Sequence, residues 1–458
     1  MTQIALRKMG VPALHAEGLR GAGECVALCD TGLDRGQAGD PHPDLRDLTV
    51  IPHSFRPDGA WSDPHGHGTH MAGCIGGRAR PPLRGIAPEA TLLLQSVYRH
   101  IDDPCGNRPS DFAALLRSAH DAGARIHANA WVEPGGQYSV TARAIDQVTV
   151  KLDDLLVVVP VGNDGRHDAN GPLPSTLRSP SPARNALAVG SSKNDRPALS
   201  RPYRVWYEET DTPSGIPDSI LDEGWSMGPD GVTPFSGRGP TPDGRIKPDL
   251  VAPGTAIIST LSRMARALPD FWGTLSAPRL VPAGGTSPSV ALVAGCAALV
   301  RQHLVRTGIR PTAALLRAVL VGGARPFHGA LVPNPNQGWG RLDVARSLGL
   351  DEGLELRVVQ EVLHPGTPFE LPIDPAPDRP LRVTLAWDSP PAPAPLPDLD
   401  LEVGGHNGNR KPGDPTFDPL NTVERVLIPE AGAVDRIVVH PRRLDAPRPF
   451  ALAMVGGL

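Results

Sequence analysis

The sequence has little that would place it in a membrane, on nucleic acid or in a disulfide scaffold. Its longest apolar stretch, "SVALVAGCAALV" from Ser289 to Val300, falls short of the ~20 residues that a bilayer span requires. No membrane span is expected. With 45 basic residues against 49 acidic ones, the formal charge of −4 leaves no basic footprint for nucleic acid. The cysteines Cys25, Cys29, Cys74, Cys105 and Cys296 are odd in number and widely spaced, so they form neither a disulfide framework nor a paired-cysteine metal site. Buried free thiols in a reducing compartment are the expectation. The first residues, "MTQIALRKMGVPALHAEG", lack an apolar core followed by a small-residue cleavage site, so as written no secretory leader is expected. A cytoplasmic chain, exported later if at all, is expected; an extracellular one follows if this is a mature form.

What is present is a globular chain of 458 residues, 40% of them hydrophobic, with 50 glycines and 53 prolines scattered without a period. Such scatter marks many tight loops and no fibre, and no internal repeat is visible. Through about residue 345, apolar runs at 25–30, 91–97, 125–131, 155–161 and 186–190 alternate with helix-like segments at 110–122 and 141–152. This alternation predicts an α/β fold, a parallel sheet with helices on both faces. Beyond "GWGRLDVARSLGL" the texture changes to "LRVTLAWD", "DLDLEV", "VERVLI", "DRIVVH" and "FALAMV", short segments without helical period. An all-β sandwich is expected there. The predicted division is 1–350 for the first domain, interrupted by a polar, proline-rich insert at 195–233, and 351–458 for the second.

The stretch "ALCDTGLD" delivers Asp30 from an apolar strand to a loop, a placement that suits either of two chemistries. Two aspartates sharing one proton need a second such loop, which only a homodimer could supply here. A lone aspartate that orients a histidine needs a histidine and a nucleophile. Both are present: "DPHGHGTHMAG" contains His67, and in "PAGGTSPSVALVAG" Ser287 opens a long apolar helix. A helix N-terminus favours developing negative charge, which suits a serine alkoxide and the oxyanion that follows it. Asn163, in "VVVPVGNDG", ends another strand and can donate its amide to the same oxyanion.

Together "DTGLD", "HGHGTHMAG", "VGNDG" and "GGTSPSVALVAG" make the chain resemble subtilisin-like serine peptidases, with Asp, His and Ser in that family's order. "FSGRGPTPDGRIKPDLVAPGT", "NQGWGR" and the terminal β segments are similar to alkaline subtilases that carry a C-terminal jelly-roll domain. The resemblance implies a three-layer subtilisin-like domain and a serine endopeptidase working through an acyl-enzyme. Asp30, His67 and Ser287 carry over as the triad and Asn163 as the oxyanion residue. Segments 129–136 and 161–164 would line the substrate cleft, with Asn129, Ala130, Trp131 and Gly162 along it. Gly135 and Gly136 would let a peptide pair as an added strand, a mode that reads backbone and predicts broad specificity. The chain departs from the family at Asn129-Ala130-Trp131-Val132 and after Ser287, positions that bear on substrate preference and speed.

Other residues admit further readings. His65, His67 and His70 could present nitrogens to zinc, but no partner with metal spacing follows; His65 and His70 read as structural or pocket-lining, and Asp63 as a surface charge or substrate contact. Asp398 and Asp400, near Asn421 and Glu424, could hold calcium, as relatives of the second domain often do, or could be the wet face of an alternating strand. No cofactor is required for the chemistry. Expected partners are protein or peptide substrates and a separately encoded inhibitor protein, since only about 29 residues precede Asp30. Two alternatives stay open: a processing protease dedicated to one partner, with 195–233 as its selectivity loop, and an inactive subtilase scaffold used for binding.

Overall fold

The computed structural model describes residues 3–77, 84–97, 111–168, 170–209, 216–227, 230–265, 275, 277, 279–350, 353–405, 410–412 and 418–458. Cys105 lies outside them. Seven parallel strands form the central sheet: β1 (Cys25–Asp30), β2 (Val50–Ser54), β3 (Thr91–Ser96), β4 (Ile126–Asn129), β5 (Leu156–Pro160), β6 (Leu187–Ser192) and β7 (Leu250–Pro253). Their order is β2-β3-β1-β4-β5-β6-β7, every neighbour parallel. Strands covered on both faces must be apolar throughout, which is why "CVALCD" and "LVVVP" are continuous runs and do not alternate. The strand order reverses at β1, the place where parallel sheets open a crevice beyond their carboxyl ends. Asp30 ends β1 and Asn129 ends β4 beside it.

Helices cover both faces. On one side lie α1 (His67–Gly76) and the central α4 (Thr286–Arg306), sharing a core with Leu28, Leu94, Val158 and Ile257. On the other lie α2 (Phe112–Asp121) and α3 (Val140–Thr149), packed on Val157, Val159 and Ala188. Sequence dictates where these two begin: the Asp111 side chain accepts from the Ala114 N–H and that of Ser139 from the Ala142 N–H, each cap contributing about 1 kcal/mol. Helix α4 runs for 21 residues, longer than the apolar run within it, and by length and composition it could cross a membrane. Its apolar side chains fill the core instead, Val290 to Val300 being buried without a break.

The last hundred residues form two four-stranded antiparallel sheets around a common core of Leu385, Trp387, Leu399, Leu401, Val439 and Leu452. This β unit is not a loosely tethered module. Helix α5 (Ala313–Gly322) packs on its first sheet, and Ala386, Val423, Ala451 and Ala453 belong to the same core as the central sheet. Arg317, fully buried, donates to Asp388 and the Asn185 carbonyl, both at 2.8 Å, and to the Trp387 carbonyl at 2.7 Å. Arg184 donates to the carbonyls of Pro390 and Ala394, and Asn185 to that of Ser389.

Two expectations are corrected. The insert is not merely a polar loop: Tyr203, Trp206 and Tyr207 on helix Tyr203–Glu209 and Trp225 in the turns after helix Asp218–Leu221 bury themselves against Phe235 as a small aromatic core. The strand Asp398–Gly404 has no wet face, every residue in it being buried.

Candidate active site

The loop after β1 and the first turn of α1 form one hydrogen-bonded unit. Asp30 is buried, and its Oδ1 lies 2.7 Å from His67 Nδ1 and 2.7 Å from the Thr31 N–H. Oδ2 of Asp30 is buried without a hydrogen bond. The Thr31 hydroxyl accepts the Gly68 N–H and donates to Asp63 Oδ1, both at 2.8 Å. Asp63 is wholly inaccessible and also accepts the N–H groups of Gly66 and Thr69 and the Thr69 hydroxyl. It is therefore neither a surface charge nor a substrate contact. It is the clamp that fixes the turn into α1.

This wiring sets the proton chemistry of His67. Burial pulls its pKa down, but the charge and hydrogen bond of Asp30, with Asp63 behind it, outweigh burial and leave it above the ordinary 6.5. Nε2 of His67 is the nitrogen left for chemistry, the imidazole being about three-tenths exposed. His70, by contrast, is buried, pairs its Nε2 with the Ile257 carbonyl at 3.0 Å and is pushed down to about 4 by burial. His65 stands edge-on to His67 with ring centroids 6.1 Å apart. Among the described residues no group of three or more such side chains could hold a metal ion.

Ser287 is the second residue of α4, and Gly285 caps that helix with φ 118°. Its conformation favours glycine, and so does the space: a Cβ there would lie 3.1 Å from Asn163 Nδ2. The Thr286 N–H (2.9 Å) and hydroxyl (3.1 Å) both donate to Asn163 Oδ1. That pair of bonds fixes the amide, with Oδ1 toward the helix start. Thr286 and Thr31 were missed in the sequence, although a hydroxyl next to a nucleophile or an aspartate is a common local acceptor or donor. The Ser287 hydroxyl donates at 2.7 Å to the Ala130 carbonyl and makes no hydrogen bond to His67.

Of the expected cleft residues, Ala130 takes part through its carbonyl. Asn129 is fully buried, its amide bonded to His127 at 3.0 Å, so it shapes the strand from behind and does not line the cleft. Trp131 packs edge-on against Phe112 at 5.5 Å. The Gly135 carbonyl already accepts the Ser179 N–H, and a Cβ on Gly136 would sit 2.7 Å from the Leu177 carbonyl. Gly162, with φ 92°, lies against Arg178.

The sequence model of the subtilase family (Peptidase S8) matches residues 21–340. The chain belongs to the subtilase family. "Subtilisin-like protease PopC" of Myxococcus xanthus (strain DK1622) is 27% identical over 64% of this chain and 54% of its own. "Serine protease AprX" of Bacillus subtilis (strain 168) is 26% identical over 63% of this chain and 59% of its own. "Serine protease/ABC transporter B family protein tagA" of Dictyostelium discoideum is 25% identical over 92% of this chain, and this chain spans only 29% of it. Two longer relatives from the same organism are spanned to 23% and 21%. Among solved structures, fervidolysin from Fervidobacterium pennivorans matches with a TM-score of 0.53 at 20% identity, over 93% of this chain and 53% of its own. The prenylagaramide maturation protease PagA matches at 0.51 and 20%, over 75% and 99%. The last two bear on the fold alone.

In the β unit, Asp398 and Asp400 are two apart on one strand and both buried. Arg442 donates to Oδ2 of Asp400, while Oδ1 of each aspartate has no hydrogen bond. Burial, then the neighbouring Asp400, pushes Asp398 up to about 6. A guanidinium already neutralises the second carboxylate, and the described side chains supply no third acidic ligand around the pair. Among the described residues the pair belongs to no group of three or more acidic or imidazole side chains, and a calcium site is not shown.

Proposed function

We propose that this subtilase is a serine endopeptidase acting on proteins or peptides through an acyl-enzyme. Ser287 attacks the scissile carbonyl as His67 Nε2 takes its proton, and His67 then gives that proton to the leaving amine. Asp30 holds Nδ1–H, fixes the tautomer and stabilises the imidazolium. The Asn163 amide and the Ser287 N–H at the start of α4 receive the oxyanion. Water, activated by the same histidine, releases the acyl group.

The observation that carries this reading is the 2.7 Å bond between Asp30 and His67, beside an Asn163 amide that Thr286 fixes at the start of the nucleophile's helix. Before substrate arrives, the Ser287 hydroxyl rests on the Ala130 carbonyl. A peptide lying along that strand competes for the same backbone and frees the hydroxyl for His67. Hydrolysis of casein and of a mixed peptide library by the purified chain, with Ser287→Ala as control, tests the reading. Internal cleavage that vanishes in the variant is expected; cleavage that survives it would overturn the assignment.

A further inference from the structure

The two segments that flank the proposed cleft, 129–136 and 161–164, are joined by a third. The Ser179 N–H donates to the Gly135 carbonyl at 2.8 Å, the Glu133 N–H to the Ser179 carbonyl at 2.7 Å, and the Arg178 N–H to the Val161 carbonyl at 2.9 Å. Residues 177–179 thus bridge the gap between the cleft segments, and Arg178 is the charged side chain they carry into it. Its stem lies directly against Gly162: a Cβ there would come within 2.5 Å of Arg178 Cγ and 2.8 Å of its Cβ. Only glycine leaves room for it. The head is held by Asp164, with Nε to Oδ2 and Nη2 to Oδ1 both at 2.6 Å, a two-pronged geometry that fixes the guanidinium plane.

Gly162 and Asp164 are the immediate chain neighbours of Asn163. If Asn163 donates to the scissile carbonyl, the substrate residue owning that carbonyl lies beside the segment that carries both. Its side chain then meets the Arg178–Asp164 pair, whose members are 32% and 37% exposed and so open to it. We infer that this ion pair is the floor of the pocket for the residue on the acyl side of the scissile bond, and that it selects short polar side chains over large apolar ones. The inference rests on the peptidase reading above. The physical reason is desolvation: a large apolar side chain would strip water from the three guanidinium N–H groups that Asp164 does not use, and offer nothing in return. A serine, asparagine or aspartate side chain replaces that water with a hydrogen bond.

The test measures kcat/KM on peptides that vary only at this residue, for the parent chain, Arg178→Gly and Asp164→Asn, with fluorophosphonate labelling of Ser287 run in parallel. Arg178→Gly removes the stem and head, and is expected to raise the ratio for phenylalanine over serine by about tenfold or more. Asp164→Asn leaves Arg178 without its counter-charge, and is expected to raise the ratio for glutamate over glutamine. Its fold is less exposed to failure because the side chain keeps its shape. Labelled variants whose two ratios equal those of the parent chain would overturn the inference and leave the peptidase reading standing. A parent chain that neither labels nor cleaves would overturn that reading, and the inference with it.

Discussion

Two pairs among the buried aspartates are treated differently. Asp30 and Asp63, beneath the cleft, receive bonds on three of their four carboxylate oxygens, from His67, Thr31, Thr69 and the N–H groups of Thr31, Gly66 and Thr69. Asp398 and Asp400, in the β unit, receive one from Arg442. A buried carboxylate held by many donors is a fixed point that can aim a neighbour. Burial raises Asp63 and Asp398 alike, but the hydrogen bonds to Asp63 work against the rise, whereas Asp398 has none and is pushed up to about 6. The first pair builds a tool; the second leaves a titrating group in a wall.

Substitutions sharpen this contrast. Asp30→Asn keeps the shape of the loop but presents the wrong tautomer of His67, and turnover is expected to fall about 10⁴-fold with an unchanged melting temperature. Asn163→Ala removes one oxyanion donor and should cost about 10²–10³ in kcat with little change in KM. Asp63→Ala strands the Gly66 and Thr69 N–H groups and the two threonine hydroxyls, so about 3 kcal/mol of stability should be lost in a denaturant titration. In the β unit the sign reverses. Between the ordinary 3.8 and about 6, folded Asp398 holds a proton that the unfolded chain has released, so stability falls as pH rises through that window. Asp398→Asn should flatten this fall and leave the protein more stable at pH 7 than its parent, the smallest effect of the four.

The same contrast runs through what the sequence reveals. Strands buried on both faces were legible where they are apolar runs, as at Cys25–Asp30 and Leu156–Pro160, and Leu381–Trp387 was legible as a short β segment. Among the strands not foreseen are Val50–Ser54, Leu250–Pro253, Glu355–Leu363, Phe369–Pro372 and Arg410–Pro412, and each of these lies at the edge of its sheet. An edge strand needs neither two apolar faces nor a full row of N–H donors, so Pro52, Pro253, Pro372 and Pro412 are tolerated and the pattern fades. In the site, Asp30, His67, Asn163 and Ser287 stood out because their chemistry is carried by residue type. Asp63, Thr31 and Thr286 act by aiming others, and their roles follow from distances that only the fold creates. The insert misled for a third reason. Its polar loops hide four aromatic side chains spaced to meet only after folding.

The central claim is that Asp30 and His67 act together on Ser287, and the pH dependence of fluorophosphonate labelling tests it most directly. Attack requires neutral His67, whose pKa the Asp30 carboxylate raises. Label mapped to Ser287 should therefore rise with pH through a midpoint above 6.5, and Asp30→Asn should lower that midpoint as well as the rate. Label on another residue, or a Ser287 rate with the same midpoint in both proteins, would contradict the account.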